Sequence, residues 1–113
     1  MERKEYNGWT NYETWAVALW WDNERGSQRL QQEMAAEFVT APKSTEEDAI
    51  SARRVDLCRF AEWIKETTEE NAPDLGASLY SDLLGAALSE VNWYEIAENW
   101  ADEFPEEEEA ANG

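Results

Sequence analysis

The sequence predicts an all-α protein, a compact bundle of about five helices with a disordered acidic C-terminal tail. Three observations carry this. Apolar residues recur at spacings of three and four over most of the chain, and no stretch alternates long enough to make a useful strand. Pro42, Pro73 and Pro105 fall between the periodic stretches, where a residue without an amide donor bounds a helix and does not interrupt one. Ser, Thr or Asn precedes several stretches with Glu three residues on, the pattern of a capping box. With 113 residues there is room for one domain. We place it at residues 1–105 and the acidic tail at residues 106–113.

The first helix is expected from Asn11 to about Asn23. Asn7-Gly8 signals a turn before it, and Thr10 with Glu13 fits a capping box. Tyr12, Trp15, Ala16 and Leu19 share one face with Trp20 at its edge, while Val17 and Trp21 point the other way. A helix apolar on two sides belongs at the centre of a core. The alternative leaves Trp21 exposed as a partner anchor.

Ser27 is placed to cap a second helix, Gln28–Thr40, with Leu30, Met34 and Phe38 as its apolar stripe. Ser44 and Glu47 form a second capping box ahead of a long third helix from Thr45 to about Asn71. Its buried stripe is Ile50, Leu57, Phe60, Ala61 and Ile64, with Cys58 at the edge as a small buried hydrophobe. Trp63 points away from that stripe, near Glu66 and Glu70. Acids at a helix C-terminus oppose the dipole, so Glu66, Glu69 and Glu70 stand where they cost stability. The fourth helix, Leu75–Glu90, is apolar around most of its circumference and is expected to be largely buried. Its Gly85 either permits close helix approach or is merely tolerated. Asn92 with Glu95 caps a fifth helix whose stripe is Trp93, Ile96, Ala97, Trp100 and Phe104.

Charge is the most unusual property of the chain. Twenty-six acidic residues against nine basic ones give a net charge of −17. Lys65 is the last basic residue, so every acid from Glu66 onward lies in a half of the chain without a cation. Such a surface disfavours direct nucleic-acid binding, which needs a basic footprint, and disfavours anionic membranes. Its natural partners are basic proteins. A single cysteine forms no intramolecular disulfide, which suits a reducing compartment. No apolar run approaches the ~20 residues of a membrane span.

Asn7 to Asn23 reads N-G-W-T-N-Y-E-T-W-A-V-A-L-W-W-D-N. It resembles the opening of a family of small proteins from phages, plasmids and other mobile elements, which begin with a close variant of N-G-W-x-N-Y-E-T-W-x-V-x-L-W-x-D-N. A second, weaker match is Val91-Asn92-Trp93-Tyr94-Glu95-Ile96-Ala97-Glu98. The resemblance implies a setting, a mobile-element protein acting in the host bacterial cytoplasm, and it brings no catalytic residues.

Chemistry is scarce. There is no histidine, which excludes Ser-His-Asp, Cys-His and His-metal sites. Five scattered glycines make no phosphate loop. Carboxylate pairs are plentiful, but in a chain this acidic they follow from composition. The expectation is therefore no enzyme, no cofactor and no metal. What survives is distributed acid held on helices, a charge pattern that resembles DNA-mimic anti-restriction and anti-CRISPR proteins. The expected function is inhibition of a basic nucleic-acid-binding host protein or complex. Glu66, Glu69, Glu70, Glu95, Glu98 and Asp102 are the predicted contacts and Trp63 the predicted apolar anchor. The main alternative is a non-mimic binding module or homodimer using an exposed Trp patch, with the acids only solubilising. A small carboxylate-metal enzyme is a third reading. The sequence leaves monomer and homodimer both open.

Overall fold

The structure, a computed structural model, describes residues 6–103. Within them the chain forms five helices: α1 (Tyr12–Asn23), α2 (Ser27–Phe38), α3 (Glu47–Glu70), α4 (Leu79–Ser89) and α5 (Trp93–Glu103). The all-α expectation holds, and no strand occurs among the described residues beyond one isolated bridge between Tyr6 and Trp9. Phe104 and the acidic segment 106–113 lie outside the described residues.

That bridge closes the predicted turn. Asn7 and Gly8 both take positive φ, 52° and 93°, the requirement of a tight type I′ hairpin turn. Tyr6 and Trp9 exchange backbone hydrogen bonds of 2.8 and 3.3 Å across it.

α1 starts one residue later than expected, and its cap is Asn11 instead of Thr10. The Asn11 Oδ1 accepts the Thr14 amide at 2.9 Å and the Thr14 hydroxyl at 2.6 Å. The Thr10 amide goes instead to the Glu95 carboxylate on α5, at 3.2 Å. Of the two apolar sides expected to be packed, only one is covered. Thr14 and Ala18 are buried, with Val17 and Trp21 packed on the core beside them, while Tyr12, Leu19 and Trp20 are exposed.

α2 begins at Ser27, after Gly26 in the left-handed conformation that glycine adopts without strain (φ 82°). Ser27 does not cap the helix. It is buried, and its Oγ accepts from the Gln31 amide at 3.0 Å, while the same Gln31 nitrogen reaches Asp22 of α1 at 3.3 Å. Leu30, Met34 and Phe38 are half-buried, and the deepest face of α2 is Ser27, Gln31 and Ala35.

α3 starts at Glu47, because Ser44 accepts the amide of Glu46 and caps no helical residue. Leu57, Phe60, Ala61 and Ile64 are buried as expected, but Ile50 is exposed and so is Cys58. α4 starts at Leu79, four residues later than predicted, with Ser78 capping the Ser81 amide at 3.2 Å. Contrary to expectation, α4 buries no residue. α5 is capped as predicted, the Asn92 side chain accepting the Glu95 amide at 3.1 Å, and it buries Ile96, Ala97 and Trp100.

The core is an aromatic cluster shared by α1, α2, α3 and α5. Trp100 is fully buried; Trp21 meets its edge at a ring separation of 5.2 Å, and Phe60 lies at 5.8 Å. Phe38 stacks on Phe60 at 5.6 Å. Aromatic pairs of this kind contribute about 0.5–1.5 kcal/mol each beyond their buried area. α3 packs chiefly on α5, and α2 bridges the two. α4 adds no buried residue to this core and reaches it through half-buried Leu88.

The two motif stretches meet in space. The buried Thr14 hydroxyl accepts the Asn92 amide at 2.8 Å, and the Asn11 amide group donates to the Glu90 carbonyl at 2.8 Å. The N-Y-E-T turn of α1 and the V-N-W-Y-E turn of α5 therefore cap each other's ends. Each side chain satisfies backbone groups that a helix terminus leaves unpaired.

Candidate functional site

The carboxylates singled out by sequence fall into two groups. Glu66, Glu69 and Glu70 are exposed on the last turns of α3. Helical spacing adds Glu62, also exposed, one turn before Glu66. Sequence reasoning missed Glu62, although its spacing of four from Glu66 was the available signal. The one ion pair on this row is a long contact of 3.9 Å between Lys65 and Glu69. Among the described residues Glu66 and Glu70 form no ion pair. The last turn of α3 contains no basic residue, and its carbonyls are met instead by Asn71, whose side chain donates to the Thr67 carbonyl at 2.9 Å.

The α5 acids sit in a different field. Asp102 pairs with Lys43 at 3.0 Å and Arg53 at 3.4 Å. Glu98 is exposed but lines a shallow cavity of about 550 Å³ with Lys43, Arg53, Arg54 and Tyr94. Glu95 is half-buried and holds the Thr10 amide. Glu98 and Asp102 are thus set against the cations of the α2–α3 connection and of α3. The α5 row ties elements together, whereas the α3 row faces solvent with Lys65 as its one close cation among the described residues.

Trp63, the predicted anchor, is only partly exposed. It is half-buried in the aromatic cluster, with ring centres 6.2 Å from Trp21, 6.2 Å from Phe60 and 6.3 Å from Phe38. Trp21 is likewise structural, its indole N–H donating to the Thr68 hydroxyl at 3.0 Å. The uncovered tryptophan is Trp20, 70% exposed. With Trp21, Leu30, Pro73, Leu84 and Leu88 it lines an open, mainly apolar groove of about 1010 Å³ between α1, α2, the end of α3 and α4.

No group of three or more Cys, Asp or Glu among the described residues is arranged to hold a metal ion. No helix among them is long and apolar enough to cross a membrane.

Fold and surface together define a small acidic helical protein whose notable features are two kinds of surface: fixed carboxylates and uncovered apolar helix. The chain belongs to DUF7249, a family of unknown function whose model matches residues 2–109. Searches of curated proteins and of solved structures find no match.

Proposed function

We propose that this is a mobile-element anti-defence protein, acting in the host bacterial cytoplasm. On this reading it inhibits a nucleic-acid-binding defence complex, a CRISPR effector or restriction enzyme, by occupying its basic groove with a nucleic-acid-mimicking surface. Inhibition is stoichiometric and needs no catalysis.

The observation that carries the reading is the row Glu62, Glu66, Glu69 and Glu70, exposed on one rigid helix in a chain of net charge −17. From Glu62 to Glu70 the helix rises about 12 Å at ~1.5 Å per residue. Four carboxylates over that length give one charge per roughly 4 Å, close to the ~3.4 Å per phosphate along one strand of duplex DNA. The α5 acids are secondary contacts, because Lys43, Arg53 and Arg54 offset them.

The test is capture of host partners by the tagged protein, repeated with Glu66, Glu69 and Glu70 changed to Lys. The reading expects a nucleic-acid-binding partner that DNA or RNA displaces, whose affinity falls steeply with salt, and which the triple variant no longer holds. Changing Glu98 to Lys should weaken capture far less. A partner without a basic surface, or one held equally by the triple variant, overturns the reading.

A second reading rests on Trp20. A tryptophan 70% exposed at the lip of an apolar groove suits a non-mimic protein-binding module in which the acids only solubilise. Capture then survives high salt and is lost on Trp20→Ala.

A further inference from the structure

We propose that the groove between α1, α2, the end of α3 and α4 receives a basic amphipathic helix of a partner protein. This rests on the second reading, in which the groove binds protein. It goes beyond that reading by naming the partner's chemistry and by giving the acids at the groove a part in recognition.

The groove offers apolar area and few free hydrogen-bonding groups. Val17, Trp20, Leu30, Pro73, Leu84 and Leu88 supply the area. The polar side chains along it are mostly engaged within the fold. The Thr68 hydroxyl accepts the Trp21 indole N–H at 3.0 Å and donates to the Ile64 carbonyl at 2.7 Å. The Asn71 side chain donates to the Thr67 carbonyl at 2.9 Å, and the Ser27 hydroxyl accepts from Gln31 at 3.0 Å. A small polar ligand needs convergent free donors and acceptors to fix its orientation. This surface suits a row of apolar side chains instead.

The shape of the walls selects a helix. No strand among the described residues offers an edge to an extended peptide. Three helices and a helix end form the groove, and a helix docks in such a place through anchors three and four residues apart. Trp20, 70% exposed at the lip, is of the residue type most enriched among interface hot spots.

The charge beside the groove selects a basic helix. The stretch from Glu66 to Asp74, which supplies Thr67, Thr68 and Pro73 to the lining, holds four exposed acids and no cation. They are Glu66, Glu69, Glu70 and Asp74, and Glu24 at the end of α1 lines the groove itself. Arg25 is the one cation among the lining residues, and Lys65 stands 3.9 Å from Glu69. An apolar floor beside carboxylates complements a helix with an apolar stripe flanked by Lys or Arg. A second copy of the chain brings a further −17 to these margins, and like charges oppose it.

The experiment is calorimetric titration of the full chain with a synthetic helix of about four turns, leucine on one face and lysine on the others. One control peptide has the same composition with the leucines scattered. A second keeps the leucine face and replaces lysine with glutamine. The first peptide is expected to bind, less tightly as salt rises, and at least about tenfold more tightly than either control. Trp20→Ala should cost a similar factor. Glu24 and Arg25 are neighbours, both exposed and both lining the groove. Glu24→Lys should weaken binding severalfold and Arg25→Glu should strengthen it severalfold. Glu98→Lys, the same change of charge at the other cavity, should do neither. Unchanged circular-dichroism spectra confirm that the variants are folded. Failure of the first peptide to bind overturns the proposal. Equal binding of the glutamine peptide overturns it and leaves the second reading standing. Equal binding of the scattered peptide, or indifference to Trp20→Ala, also overturns it, since charge alone then acts. So does a chain that sediments as a dimer the peptide does not split, which puts a second copy in the groove. Loss of the host partner on Trp20→Ala tests the second reading by itself, so the two fail separately.

Discussion

α4 and α5 are equally long, at 11 residues each, and they invert the usual relation between composition and burial. α4 has four leucines, a tyrosine and one acid, yet none of its residues is buried. α5 carries Glu95, Glu98, Asp102 and Glu103, yet it buries Ile96, Ala97 and Trp100. What brings a helix into a core is segregation of its apolar residues onto one face, because only then can one side dry while the other stays solvated. α5 has that segregation, and its N-terminus is also pinned at the α4–α5 junction, where the Asn92 amide donates to Thr14 and Asn11 donates to the Glu90 carbonyl. α4 has only a narrow polar strip, Asp82 and Ser89, to mark an outside, and no aromatic in the shared cluster. Its hydrophobicity is left over for another use.

The largest expected effect breaks α5. Trp100 is 1% exposed and touches both Trp21 and Phe60, so Trp100→Ala empties the centre of the cluster. Burial-to-cavity changes of this size cost about 3–5 kcal/mol, a large fraction of the whole stability of a domain this small. Urea denaturation should show the midpoint falling accordingly. Leu79→Ala on α4, measured as dilute monomer, should stay within about 0.5 kcal/mol of the parent. Equal losses at the two positions would abolish the contrast drawn here.

The next effect tests the link between the motif stretches. Thr14 is fully buried and serves Asn11 and Asn92 at once. Thr14→Val keeps the shape but strands the Asn92 amide and removes a donor to Asn11. A buried group left without its partner costs about 1–3 kcal/mol. The loss should appear in urea denaturation and as faster hydrogen exchange at the start of α5. If exchange quickens only in α1, the two turns are not coupled as described.

How legible this was follows from the same residues. The five helices, the Asn7-Gly8 turn and the Asn92 cap were readable because each depends on local chemistry. The packing faces of α1 and α4 were not. Where apolar residues surround a helix, periodicity names no inner side, and tertiary contacts decide. In α1 the decision went to small Thr14 and Ala18, which let neighbours approach, over the larger Tyr12 and Leu19. The same ambiguity hid the half-burial of Trp63, whose partners Trp21 and Phe38 come from other helices, whereas the reading of α1 as a central helix already placed Trp21 in the core. The candidate site divided similarly. The exposure of Glu66, Glu69 and Glu70 was legible from their place beyond the stripe of α3. The offsetting of Asp102 by Lys43 and Arg53 was not, since residues far apart in sequence meet only in the folded chain.

The smallest predicted effect has the opposite sign and locates α4 energetically. Nothing lies within 4 Å of the position a side-chain carbon would take at Gly85, so no neighbour in the chain requires glycine there. Gly85→Ala should therefore favour the helix by up to about 1 kcal/mol. Where that gain appears is the informative part. If α4 folds as part of the cooperative core, the urea midpoint rises. If α4 opens on its own, as a helix without buried residues should, the gain appears as slower hydrogen exchange across α4 with the global midpoint unchanged. The second outcome is expected, and it makes α4 a segment whose order depends on what covers it.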